Sequence, residues 1–289
     1  MQVIKAKTAG FCMGVSLAVR KLDGAVEACK KGGSLYTLGP IIHNPALVAD
    51  YEAKGAHCLE DHRKAEAGAT VIIRAHGLPS QIESNLAQRG LTVIDATCPK
   101  VKAAQMAIKK ARDSGHGTLL LFGEVDHPEV QGLLSYAAQK DGTADALVFN
   151  SLEELAALPL DQTKSYFIAA QTTQDKEIFA KALDWLTTRL GKKIPVLRTI
   201  CDATKQRQDD VIKLAEKVKS MVIVGGMNSG NTRRLAEISR ARGIFTVHCE
   251  GPGELPLNEL KELQPIGLSA GASTPDAQIN LIESILINA

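Results

Sequence analysis

Three cysteines, Cys12, Cys98 and Cys201, head three stretches of chain that follow one plan. Each sits at a local break, Gly10-Phe11-Cys12-Met13-Gly14, Ala96-Thr97-Cys98-Pro99 and Ile200-Cys201-Asp202, just before a segment whose apolar residues recur at helical spacing. A polar loop follows 31, 29 and 30 residues later, centred on His43, His127 and Asn231. A second follows 64, 74 and 72 residues after the cysteine, around His76, Thr172 and Ser273. Three copies of a plan of roughly 90 to 100 residues, each with one soft ligand and two polar loops, predict a pseudo-threefold molecule with its chemistry on the axis.

Apolar runs at 70–73, 91–94, 118–122, 165–169 and 221–224, bounded by Gly, Pro or polar clusters, read as strands. Helical patterns at 100–114, 176–190 and 205–219 alternate with them. This alternation predicts an α/β fold of three domains with small parallel sheets, right-handed crossovers, and ligands at the carboxyl ends of the strands. Boundaries are expected after Cys98 and near Arg198, giving domains at 14–98, 99–198 and 199–276. Residues 1–13 and 277–289 are then terminal segments packing across them.

With 289 residues, 45% hydrophobic and 23% charged, the chain is long enough for such units. A formal charge of +2 leaves no nucleic-acid footprint, so an anionic ligand must be held locally. No apolar run reaches the roughly 18 residues of a membrane span, and residues 1–7 lack the apolar core of a signal peptide. A cytoplasmic location is therefore expected, where six cysteines read as thiols or metal ligands before disulfides. Cys29, Cys58 and Cys249 lie outside the repeated context and read as core or surface residues.

Thiolates select zinc or iron–sulfur clusters. A structural zinc site prefers four ligands with close pairs such as Cys-x-x-Cys, which this chain lacks. Three lone cysteines suit a cluster where three units meet, and a cubane with three protein ligands leaves one iron open as a Lewis acid. The bland alternative is three buried apolar thiols. Individually, His43 and His76 read as satisfied polar residues. Together with His127, Ser229, Asn231 and Ser273 they form a donor set for a phosphate or diphosphate. Residues 225–232 have Walker A spacing but carry Asn231 in place of the lysine, against an NTPase, while the glycine-rich turn before a helix at 233–241 still offers N–H groups to a phosphate. Glu129, in His127-Pro128-Glu129, is aimed by a rigid turn; beside an iron–sulfur cluster and an anionic ligand it is expected to have a raised pKa suited to proton donation, or else it caps the next helix. Thr172 and Thr173 either orient that proton or cap a helix of their own.

At nine ordered motifs the chain resembles the 4-hydroxy-3-methylbut-2-enyl diphosphate reductase family. These include Gly10-Phe11-Cys12, Ile42-His43-Asn44, Ala75-His76-Gly77, Asp95-Ala96-Thr97-Cys98-Pro99, His127-Pro128-Glu129-Val130 and Gln171-Thr172-Thr173. The rest surround Cys201, Ser229 with Asn231, and Ser273. The resemblance implies three α/β domains around a [4Fe–4S] cluster held by Cys12, Cys98 and Cys201. It implies a diphosphate surrounded by His43, His76, His127, Ser229, Gly230, Asn231 and Ser273, and proton delivery by Glu129 with Thr172 in the relay. The implied reaction removes the substrate hydroxyl as water, using two electrons from a ferredoxin or flavodoxin and two protons, to give isopentenyl and dimethylallyl diphosphates. Gly230 stands where many relatives carry a second serine, and residues 123–126 lack a histidine some relatives have. Altered affinity with an unchanged reaction is expected. Two rival classes are a non-catalytic iron–sulfur sensor, which needs no proton donor beside a diphosphate pocket, and a metal-dependent phosphohydrolase, which would use hard ligands at close spacing.

Overall fold

The computed structural model describes residues 1–30, 32–138 and 145–289. In chain order the strands are β1 (Val3–Lys5), β2 (Leu35–Leu38), β3 (Ala56–Leu59), β4 (Thr70–Ile73), β5 (Thr92–Asp95), β6 (Thr118–Phe122), β7 (Ala146–Phe149), β8 (Tyr166–Ala170), β9 (Ser220–Val224), β10 (Phe245–Cys249) and β11 (Ile266–Ala270). The helices are α1 (Met13–Cys29), α2 (Pro45–Ala53), α3 (Ser80–Ala87), α4 (Pro99–Asp113), α5 (Pro128–Ala137), α6 (Leu152–Ala157), α7 (Lys176–Leu190), α8 (Asp202–Ala215), α9 (Gly230–Arg240), α10 (Leu257–Glu262) and α11 (Asp276–Asn288). Among the described residues the strands form three sheets, and every pairing is parallel. The α/β class and its three small parallel sheets match the expectation from sequence.

The chain divides into two compact units. One, built from Met1–Ser16, Ile42–Ala49 and Asp202–Ala289, holds the sheet β1-β11-β9-β10. β9 and β11 are buried along their whole length, as parallel strands covered on both faces must be. Side chains of successive residues point to opposite faces, so Val222, Val224 and Leu268 pack with Ile279, Ile282 and Leu286 of α11. Met221 and Ile223 pack on the other side with Val211 and Leu214 of α8 and Leu235 of α9.

The other unit, Leu17–Ile41 and Asp50–Cys201, holds β3-β2-β4-β5 and β7-β6-β8. In the second of these sheets Leu120, Phe122 and Ile168 face Phe179, Ala182 and Leu186 of α7, while Leu119, Leu121 and Phe167 face Ile108 of α4 and Val130 and Leu133 of α5. Phe122 stacks on Phe149 with ring centroids 5.3 Å apart. In the first, Leu38, Val71 and Ile73 pack with Leu78 and Leu86.

One device recurs at the carboxyl end of each sheet. The residue after β2, β6 and β9 is a glycine whose N–H continues the ladder: Gly39 to the Leu59 carbonyl at 2.8 Å, Gly123 to Phe149 at 2.9 Å and Gly225 to Cys249 at 2.9 Å. The first polar loop of each repeat leaves from this point, and the second leaves from the adjacent strand, β4, β8 or β11. Each sheet therefore delivers both of its polar loops at one end.

Candidate active site

Each of the three repeated cysteines directly precedes a helix. Cys12 precedes α1, Cys98 is the N-cap of α4 with Pro99 at its first position, and Cys201 precedes α8. All three are half-buried free thiols. Their backbones are anchored in the same way. The Cys98 N–H donates to the Ala75 carbonyl at 2.9 Å, Cys201 N–H to Thr172 at 2.9 Å, and Cys12 N–H to Ala272 at 3.3 Å. Each acceptor lies in the second polar loop of another repeat, and the three bonds run through the repeats in cyclic order. At Cys12 the sulfur also accepts the Val15 N–H at 3.5 Å, at the positive end of α1.

Glu129 lies in the first turn of α5 and is 2% exposed. Its Oε1 accepts the Thr172 N–H at 2.6 Å and its Oε2 accepts the Thr172 hydroxyl at 3.0 Å. Burial raises its pKa to about 7, against the opposing pull of the two Thr172 donors. The direction is the expected one, with burial as its chief cause. Glu129 does not cap its helix. That role falls to His127, whose Nδ1 accepts the Glu129 N–H at 3.1 Å. An Nδ1 that accepts carries no proton, so in the neutral ring the proton sits on Nε2, which is thereby a donor. His76 meets His127 edge to face, with ring centroids 5.5 Å apart. Thr172 caps nothing either, since Asp175 accepts the Glu177 and Ile178 N–H groups at the start of α7. Thr173 accepts a hydrogen bond from the Gln171 amide at 3.0 Å.

In the other unit, Ser229 caps α9 by accepting the Thr232 N–H, and Gly230 and Asn231 form the helix's first turn. Ser229, Gly230 and Asn231 are all buried. Asn231 Nδ2 makes no hydrogen bond to any described residue, so a buried donor stands ready at the positive end of a helix. His43 and Ser273 are joined by a bond from the Ser273 hydroxyl to the His43 carbonyl at 3.2 Å. Asn44 fixes the same loop: its Nδ2 donates to the Ser273 carbonyl and to Gln278 Oε1, both at 3.1 Å, while its Oδ1 caps α2 through the Leu47 N–H. The position of Asn44 in the Ile42-His43-Asn44 motif marked it. Its clamp on Ser273, 229 residues away, had no local signal in the sequence.

Cys29 and Cys58 are half-buried and Cys249 is buried, none of them at the start of a helix. Among the described residues no helix is long and apolar enough to cross a membrane.

Residues 3–286 match the family described as LytB protein. The 4-hydroxy-3-methylbut-2-enyl diphosphate reductase of Nitratidesulfovibrio vulgaris is 54% identical over 286 residues, covering 99% of both chains. The enzyme of that name from Geobacter sulfurreducens is 42% identical over 275 residues, covering 95% of this chain and 93% of the relative. Among solved structures, the E-1-hydroxy-2-methyl-but-2-enyl-4-diphosphate reductase from Plasmodium falciparum aligns with a TM-score of 0.91 at 26% identity, covering 99% of this chain and 88% of that one. A second, described as (E)-4-hydroxy-3-methyl-but-2-enyl diphosphate reductase, the terminal enzyme of the non-mevalonate pathway, aligns at 0.68 with 41% identity over the whole of both chains. With nearly its full length matched by the family and by relatives of more than 40% identity, the chain belongs to the LytB family.

Proposed function

We propose that the chain reduces (E)-4-hydroxy-3-methylbut-2-enyl diphosphate to isopentenyl diphosphate and dimethylallyl diphosphate, the last step of the non-mevalonate isoprenoid pathway. The observation that carries this reading is the Glu129–Thr172 pair, a buried carboxyl held near the pKa of a neutral-pH proton donor, in a chain of this family. Cys12, Cys98 and Cys201 would hold a [4Fe–4S] cluster. The residues fit it: three free thiols, each anchored through its backbone at a helix start, with no close pair to make a zinc site. When bound, the cluster supplies electrons one at a time and a Lewis-acidic iron. The three α/β domains of the repeat would surround it.

The protein's own residues bind, orient and move protons. Ser229, Gly230 and Asn231 present hydroxyl, backbone and amide donors to the diphosphate, with Ser273, His43, His76 and His127 completing the set. The buried, unpartnered Nδ2 of Asn231 is the kind of group an anion satisfies. Glu129 holds one proton on its carboxyl, and Thr172 fixes both carboxyl oxygens in place. The balance is two electrons and two protons in, one C–O bond broken, one C–H bond formed and water released. A ferredoxin or flavodoxin in the cytoplasm would supply the electrons.

The test is anaerobic turnover of the substrate by iron-reconstituted protein with a strong one-electron donor and product analysis. Both isoprenoid diphosphates are expected. Release of inorganic phosphate would favour a phosphohydrolase, and an intact four-iron cluster without turnover would favour a sensor.

A further inference from the structure

Arg74 directly follows β4 and opens the loop that carries His76. Its side chain is partly buried, and it makes no hydrogen bond or ion pair with any described residue; Nε is shut away from solvent without a partner. Burial draws its pKa below the usual guanidinium value. An arginine taken out of water is normally paired with an acid, because desolvating a cation is costly unless an anion compensates.

Space has been made for this guanidinium. A Cβ on Gly39, at the head of the loop leading to His43, would meet Arg74 Nη1, and Gly39 adopts φ +72, where a side chain is strained in any case. The second repeat shows what a structural residue does in this place. There Gln171, directly after β8, packs over Gly123 and uses both ends of its amide: Oε1 accepts the Glu124 N–H at 3.1 Å and Nε2 donates to Thr173. Arg74 holds no loop in this way.

We infer that Arg74 is an anion-binding residue that supplies the fixed positive charge for the substrate's diphosphate. The inference rests on the function proposed above. The donor set assigned there contains hydroxyls, amides, backbone N–H groups and imidazoles, and none of these is permanently charged at neutral pH. A multiply charged diphosphate calls for such a charge, and the planar fork of a guanidinium matches phosphate oxygens.

The test uses cluster-loaded, anaerobic protein and inorganic diphosphate as the probe, with binding measured by calorimetry and melting temperature recorded with and without ligand. Arg74→Met is expected to weaken diphosphate binding about ten- to a hundredfold, with Arg74→Lys in between. It should also raise the melting temperature of the ligand-free protein, since an unpaired buried cation is removed, and shrink the upward shift that diphosphate causes. Gly39→Ala, which pushes the guanidinium aside and leaves its charge in the chain, should weaken binding as well. Wild type that binds diphosphate while Arg74→Met binds it equally well would overturn this inference and leave the proposed function standing. Wild type that does not bind diphosphate would overturn both. A ligand-free Arg74→Met that melts lower than wild type would make Arg74 a structural residue. Orthophosphate bound as tightly as diphosphate, with the same dependence on Arg74, would contradict the diphosphate assignment.

Discussion

A carboxyl group at 2% exposure, with both oxygens accepting hydrogen bonds from one threonine, is subject to two opposed effects. Burial favours its neutral form and the Thr172 donors favour its charged form; burial prevails, which places the pKa at about 7. Thr172→Val keeps the backbone donor and loses the hydroxyl, so the Glu129 pKa should rise further. The alkaline limb of the pH–rate profile is then expected at higher pH, and an unmoved limb would show that the hydroxyl has no bearing on the carboxyl. The same balance has a stability consequence. A carboxyl whose pKa rises from 4.5 to about 7 on folding stabilises the fold fully below about pH 4.5. That contribution, on the order of 3 kcal/mol, is lost as pH rises through about 7. Glu129→Gln should flatten the fall in melting temperature between pH 5 and pH 8. These energetics were only partly legible in the sequence. The His127-Pro128-Glu129 turn marked the acid and Gln171-Thr172-Thr173 marked its neighbour, but the burial that sets the pKa comes from packing. Arg74 directly precedes the Ala75-His76-Gly77 motif, and nothing in the sequence marks that its Nε has no partner among the described residues.

At the level of elements, local chemistry was read well and boundaries less so. The strand at 118–122 and the helix at 176–190 have the expected limits, because Gly117 and Gly123 flank the first and the cap Asp175 and Gly191 flank the second. The strand at 70–73 also has them, its apolar run ending at the polar Arg74. The helix expected at 205–219 is α8, which starts three residues earlier at Asp202, an acid suited to a first turn, and ends at Ala215. The helix expected at 233–241 starts at Gly230, because the Ser229 hydroxyl caps it. β1 escaped reading as a strand: three residues carry little periodicity, and the pairing of Val3 with Ile266 spans nearly the whole chain. Two caps should behave differently. Asp175→Ala removes the acceptor for two N–H groups of α7 and should cost about 1 to 2 kcal/mol in chemical denaturation, with diphosphate affinity unchanged. Ser229→Ala should cost about 1 kcal/mol of stability and weaken diphosphate binding as well. Equal affinity in the two variants would detach Ser229 from the anion site.

Over the whole molecule, the informative pattern is the repeat. Each cysteine N–H bonds to a carbonyl in the second polar loop of another repeat, so a plan first seen as residue spacing recurs as a hydrogen bond. The three cysteines should therefore be equivalent in cluster assembly. Cys12→Ser, Cys98→Ser and Cys201→Ser are each expected to lose most bound iron and sulfide, whereas Cys29→Ser and Cys58→Ser should keep them. A full complement in Cys98→Ser would undo the ligand assignment. The central claim joins the cluster to a proton held on Glu129, and it is tested most directly by the rate at which cluster-loaded Glu129→Gln reduces the hydroxylated diphosphate beside wild type. With iron content and diphosphate affinity retained, the rate should fall by at least about a hundredfold. Near-normal turnover in that variant would contradict the account.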